Sequence, residues 1–119
     1  MAFIRFTETG ARFGDPQVSI WSRGQIGFNQ GATQEFDMKK YQYVVLYYDK
    51  DTQRIGFQLT NDKTEKGVLK LIFRDNSGAS MSAIPFLKLN KIRYKESKKY
   101  DVSLDPDSGF LVIDLNKPL

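Results

Sequence analysis

A chain of 119 residues without cysteine or histidine, carrying 18 lysines and arginines against 14 acidic residues, is the size of one domain and mildly basic, at a formal +4. The missing cysteines exclude disulfides, thiol nucleophiles and zinc–thiolate sites, and the missing histidines exclude a histidine-based hydrolytic triad and the commonest general base and transition-metal ligand. The charge permits an anionic partner, nucleic acid included, without requiring one.

The opening MAFIRFTETG places Arg5 and Glu8 where a secretion signal has an apolar run, and no stretch reaches the ~18 apolar residues of a membrane span. The expectation is a cytoplasmic protein with no membrane partner. Ala2 to Thr7 alternates as a short strand, and Thr9 to Pro16 has loop composition around Gly10, Gly14 and Pro16.

From Gln17 the pattern sharpens. Val18 and Ile20 share one face; Ser19, Trp21 and Arg23 share the other. Gly24 supplies a turn, Ile26 and Phe28 resume the alternation, and Gly27 between them marks a bulge or a close backbone approach. Asn29 is a good N-cap for a short helix over Gln30 to Met38. Tyr41 to Tyr48 is the most β-prone run of the chain. Asp49 to Gln53 has turn composition, and Arg54 to Leu59 alternates with Ile55, Phe57 and Leu59 inward, so the two runs predict a hairpin.

Asn61 to Gly67 is polar and aperiodic, a linker. Val68 to Phe73 returns to strand, and Arg74 to Ser80 turns around Gly78. Pro85 suits the first turn of a second short helix. The most basic segment follows, Lys91 to Lys99. Tyr100, Val102 and Leu104 alternate, Asp105 to Gly109 turns, and Phe110 to Leu115 closes as a strand.

The second half repeats the element order of the first. Gly24 falls on Gly78 and Met38 on Ile92, 54 apart; Asp49 falls on Asp105, Asp51 on Asp107, Ile55 on Leu111, Phe57 on Ile113 and Leu59 on Leu115, 56 apart. One half is too small to bury its apolar face, whereas two interlocked halves share a core and a closed barrel leaves no free edge on the tyrosine-rich strand. The reading is one domain over 1–119, mainly β with two short helices: a β-barrel of two β-β-α-β-β repeats, 17–60 and 69–116, joined by the linker 61–67.

The first unit resembles the swapped-hairpin AbrB, MazE and SpoVT family, and the two-unit MraZ form of it. The resemblance rests on VSIWSRGQIGF, then ATQEFDM, then YQYVVLYYDKDTQRIGFQL, about 43 residues, with the second half following loosely. It implies a DNA-binding regulator whose contacts are mostly arginines beside the glycine turn and in the short helix. Arg23 lies beside the turn, Gln25 follows the glycine, and the first helix offers Gln30, Gln34 and Glu35; the second half offers Arg74 and Lys88.

Lys91, Arg93, Lys95, Lys98 and Lys99, interleaved with Tyr94 and Tyr100, have the composition of a phosphate-tracking segment and equally that of a solvated linker, with Glu96 in its midst. Trp21 beside Arg23, and Tyr94, are candidate partner contacts. The Asp49/Asp51 and Asp105/Asp107 pairs sit at hairpin tips, where aspartate is the ordinary turn residue, so no metal site is expected; nor does the spacing of Gly24, Gly27 and Gly31 form a phosphate loop. No catalytic residue and no cofactor is assigned. The leading expectation is a non-enzymatic nucleic-acid-binding regulator using Arg23, Arg74 and the 91–99 segment. The alternatives are a protein-interaction module that kept the fold and lost DNA binding, and a single-strand binder using exposed tyrosines.

Overall fold

A computed structural model describes residues 15–74 and 78–119. The expected strand at Ala2–Thr7 and most of the loop after it lie outside the described residues. The first strand, β1 (Gln17–Ile20), turns through Gly24 into β2 (Gln25–Phe28), with Val18 opposite Phe28 and Ile20 opposite Ile26. All four are buried, as their alternation requires. Gly24 has φ of 88°, a left-handed conformation open to glycine without strain.

Asn29 ends β2 and starts helix α1 (Gln30–Glu35). Its Oδ1 accepts from the backbone N–H of Ala32 at 2.8 Å and of Gln17 at 3.0 Å, while its Nδ2 donates to the Asp15 carbonyl at 2.8 Å. One side chain thus caps the helix and pins the chain entering β1. The helix ends sooner than its expected limit at Met38. Asp37 turns left-handed, φ 54°, and a 3₁₀ turn over Met38–Lys40 buries Met38 instead.

The long hairpin joins β3 (Tyr43–Asp49) to β4 (Arg54–Thr60), with Ile55 and Phe57 fully buried and Phe57 meeting Phe28 edge-to-face at 4.9 Å. Asp49 pairs with Arg54, so the connection is one residue tighter than the five predicted. The expected strand over Val68 to Phe73 divides at buried Leu71 into β5 (Leu69–Lys70) and β6 (Ile72–Phe73). β5 pairs with β3, β6 with β7 (Ala79–Ser82), and the Leu71 N–H donates to the Gln42 carbonyl at 2.9 Å.

Helix α2 (Ile84–Leu89) carries Pro85 in its first turn and has no side-chain cap. The second long hairpin joins β8 (Lys98–Leu104) to β9 (Leu111–Pro118). Tyr100, Val102, Leu111 and Ile113 are buried; Leu104, of the same parity as Tyr100 and Val102, is 55 % exposed at the hairpin end. The final strand runs three residues past its expected end at Leu115.

The nine strands form one antiparallel sheet in the order β5-β3-β4-β9-β8-β1-β2-β7-β6. Because β5 and β6 are halves of one run, the sheet nearly closes on itself as a β-barrel, and the buried residues of both halves form one core. Gly78 differs from Gly24 in its surroundings. It serves a close approach: a Cβ there would collide with the Phe28 carbonyl oxygen.

Candidate nucleic-acid interface

Residues directly opposite in an antiparallel ladder share a face. Gly27 is the centre of one outer row: Ser19 stands opposite it on β1 and Ser80 on β7, with Lys99 beyond Ser19 on β8. Trp21, just past β1, folds its indole over Gly27, where a Cβ would run into the ring. That is the close approach predicted at Gly27, with no bulge in the ladder. The Arg23 guanidinium lies 5.6 Å from the indole centroid, and its Nε donates to Gln25 Oε1 at 2.9 Å.

Arg74 leaves β6 and reaches the same place. Together with Trp21, Arg23 and Ser80 it lines a depression of about 300 Å³. Two arginines 51 positions apart in sequence are therefore neighbours in space. A second, larger concavity of about 770 Å³ lies between α2 and β8, lined by Lys88, Lys91, Arg93, Lys95 and Lys98, with one carboxylate, Glu96, around half-buried Tyr94. Ile92 is buried there, which anchors the basic segment to the core and turns its charges outward. The Ser22 N–H donates to Ser97 Oγ at 2.9 Å, so the turn bearing Arg23 is tied to the basic segment.

Ion pairs among the described residues are Lys40–Asp37 and Arg54–Asp114. The seven cations singled out from the sequence, Arg23, Arg74, Lys91, Arg93, Lys95, Lys98 and Lys99, are all exposed and have no carboxylate within 4.0 Å among the described residues. Lys88 joins them, a residue noted in the sequence for its place in the second helix and missed as part of the basic surface. The two candidate partner contacts are both half-buried, Trp21 on Gly27 and Tyr94 against the core.

The remaining tyrosines divide. Tyr100 is buried, and burial pushes its phenol above the usual value. Tyr47 is 42 % exposed and stacks on Phe110 at 4.5 Å. The acidic tips are ordinary turns. Asp49 accepts from the Asp51 and Thr52 N–H groups, and Asp105 from Ser108 Oγ at 2.7 Å. The hydrogen bond from Thr52 holds the Asp49 carboxyl below its ordinary value, and that from Ser108 does the same at Asp105. Among the described residues no three acidic side chains gather as a metal site would need, and no helix is long and apolar enough to cross a membrane. Comparison with models of known families, with characterised proteins and with solved structures finds no match to this chain.

Proposed function

We propose that the chain is a non-enzymatic, nucleic-acid-binding regulator of the AbrB-like, swapped-hairpin type, built from two copies of one unit. The strand registers support the duplication. An offset of 53 carries the pairs Ile20–Ile26 and Ser19–Gly27 onto Phe73–Ala79 and Ile72–Ser80. The helices start 54 apart, and Tyr48–Ile55 and Leu104–Leu111 are 56 apart.

Under these offsets the ladders joining the halves are self-complementary. Gly27 faces its counterpart Ser80, flanked by Ile26–Met81 and Phe28–Ala79; Gly56 faces its counterpart Val112, flanked by Ile55–Ile113 and Phe57–Leu111. A two-fold relation between copies requires such reciprocal pairing. The β1–β8 ladder and its counterpart β3–β5 differ by a slip of two residues, which preserves the facing of every side chain. Gly78 then corresponds to Gln25 instead of Gly24.

The observation that carries nucleic-acid binding is the gathering of exposed cations, without carboxylate partners among the described residues, on adjoining surfaces tied together by the Ser22–Ser97 hydrogen bond. The test is an anisotropy titration with labelled duplex and single-stranded oligonucleotides over a salt series. Five phosphate contacts give a log–log slope of roughly −3.5 to −4.5. The triple variant Lys91→Gln, Arg93→Gln, Lys95→Gln is expected to flatten it by roughly 2 to 2.7.

Absence of binding at low salt would favour the protein-interaction reading. The observation on that side is the exposed Tyr47–Phe110 stack, which shares a groove of about 700 Å³ with Leu104.

A further inference from the structure

The depression around Trp21 combines two chemistries in a small space. One wall is a flat aromatic ring. The indole rests on Gly27, is half-buried, and lines the depression, with the Arg23 guanidinium over its ring at 5.6 Å from the centroid. The rim carries two guanidinium groups, from Arg23 and Arg74, whose five-donor forks suit a phosphate. Ser80, 7 % exposed, stands opposite Gly27 and lines the depression. A flat apolar surface beside two anion-binding forks matches a ligand that is itself a flat ring joined to an anion.

We propose that this depression takes one nucleotide of an unpaired strand, its base against the Trp21 indole, its phosphate held by Arg23 and Arg74, and its sugar or base edge hydrogen-bonded by Ser80. The proposal rests on the nucleic-acid reading above and narrows it. A base inside a duplex has both faces covered by its neighbours and reaches an indole only when flipped out, whereas a single strand offers bases freely. The adjoining basic segment extends the site. Ser97 is bonded to the turn carrying Arg23, and Lys99 stands opposite Ser19, so a phosphate flanking the bound nucleotide meets Lys99. The aromatic group is thus Trp21, not the tyrosines favoured by the sequence for a single-strand binder.

Trp21 is the sole tryptophan, so intrinsic fluorescence reports on this site alone among tryptophan positions. The full chain is titrated at low salt with a short oligothymidylate, a duplex, an abasic strand with the same number of phosphates, and a mononucleotide. Oligothymidylate is expected to quench the tryptophan and to bind at least about five-fold tighter than the abasic strand, as stacking of one base implies. Duplex and abasic strand are expected to bind through the lysines without quenching, and the mononucleotide to bind far more weakly than the strand. Arg23→Gln and Arg74→Gln, both exposed and compatible with the fold, are each expected to weaken oligothymidylate roughly ten-fold. Equal affinity for oligothymidylate and abasic strand, saturable binding without quenching, or equal response to mononucleotide and strand overturns the base site and leaves the basic surface standing. No binding of any probe at low salt removes both.

Discussion

Asn29 holds three backbone groups from two parts of the chain, and its removal separates this arrangement from an ordinary helix cap. In Asn29→Ala the Ala32 N–H loses its cap, worth about 1 kcal/mol. The part-buried Gln17 N–H loses its acceptor, costing about 1 kcal/mol more, and the exposed Asp15 carbonyl loses a donor at about 0.5 kcal/mol. The expected loss is about 2.5 kcal/mol, which moves a urea midpoint by roughly 1–2 M. Asn29→Asp keeps the shared acceptor oxygen and forfeits only the bond to Asp15, while its charge at the start of α1 offsets about 0.5 kcal/mol. It should therefore unfold within about 1 kcal/mol of the parent. Urea titrations followed by circular dichroism measure both. If alanine costs under about 0.5 kcal/mol, or aspartate costs as much as alanine, the three-way role of Asn29 is wrong.

The Tyr47–Phe110 stack over Gly56 is expected to show a coupling of about 0.5–1.5 kcal/mol in a double-mutant cycle with Tyr47→Ala and Phe110→Ala; a coupling near zero would mean that the rings merely coincide. Asp49 and Asp105, held low by Thr52 and Ser108, should titrate below ordinary aspartates in carboxyl-resolved NMR. Because their folded values lie below their unfolded ones, the stability they add is present above the ordinary carboxylate value and is lost as pH falls through the lowered value. Tyr100 has the opposite sense among acids. Its raised value means stability declines once pH climbs past the ordinary phenol range, and absorbance titration should find one of the six tyrosines ionising late.

Local signals were legible. The inward parity of Val18, Ile20, Ile55 and Phe57, the cap at Asn29, the proline in α2 and the aspartate tips all stand where the residues imply, since each depends on neighbours within a few positions. The pairings between halves were not, because antiparallel registers such as Gly27–Ser80 and Gly56–Val112 join residues more than 50 positions apart, and no local pattern selects among registers of equal parity. The same reason hid the meeting of Arg23 with Arg74. Asp37 carries no sequence mark that forces a left-handed backbone, so the early end of α1 was invisible; aspartate tolerates that conformation better than most residues, and burying Met38 offsets its cost.

The bend at Leu71 gives the ring a clasp. The run from Leu69 to Phe73 is shared between two neighbours, β3 and β7, holding each by only two residue pairs, while the β3–β4 hairpin on one side of it is knit by seven. Thermal fluctuation will part the ring at that seam well before either hairpin unravels. Amide deuteration should therefore run fastest, within the sheet, along Lys70 to Phe73. A cut there would leave two hairpin-bearing arms still embracing through β2–β7 and β4–β9.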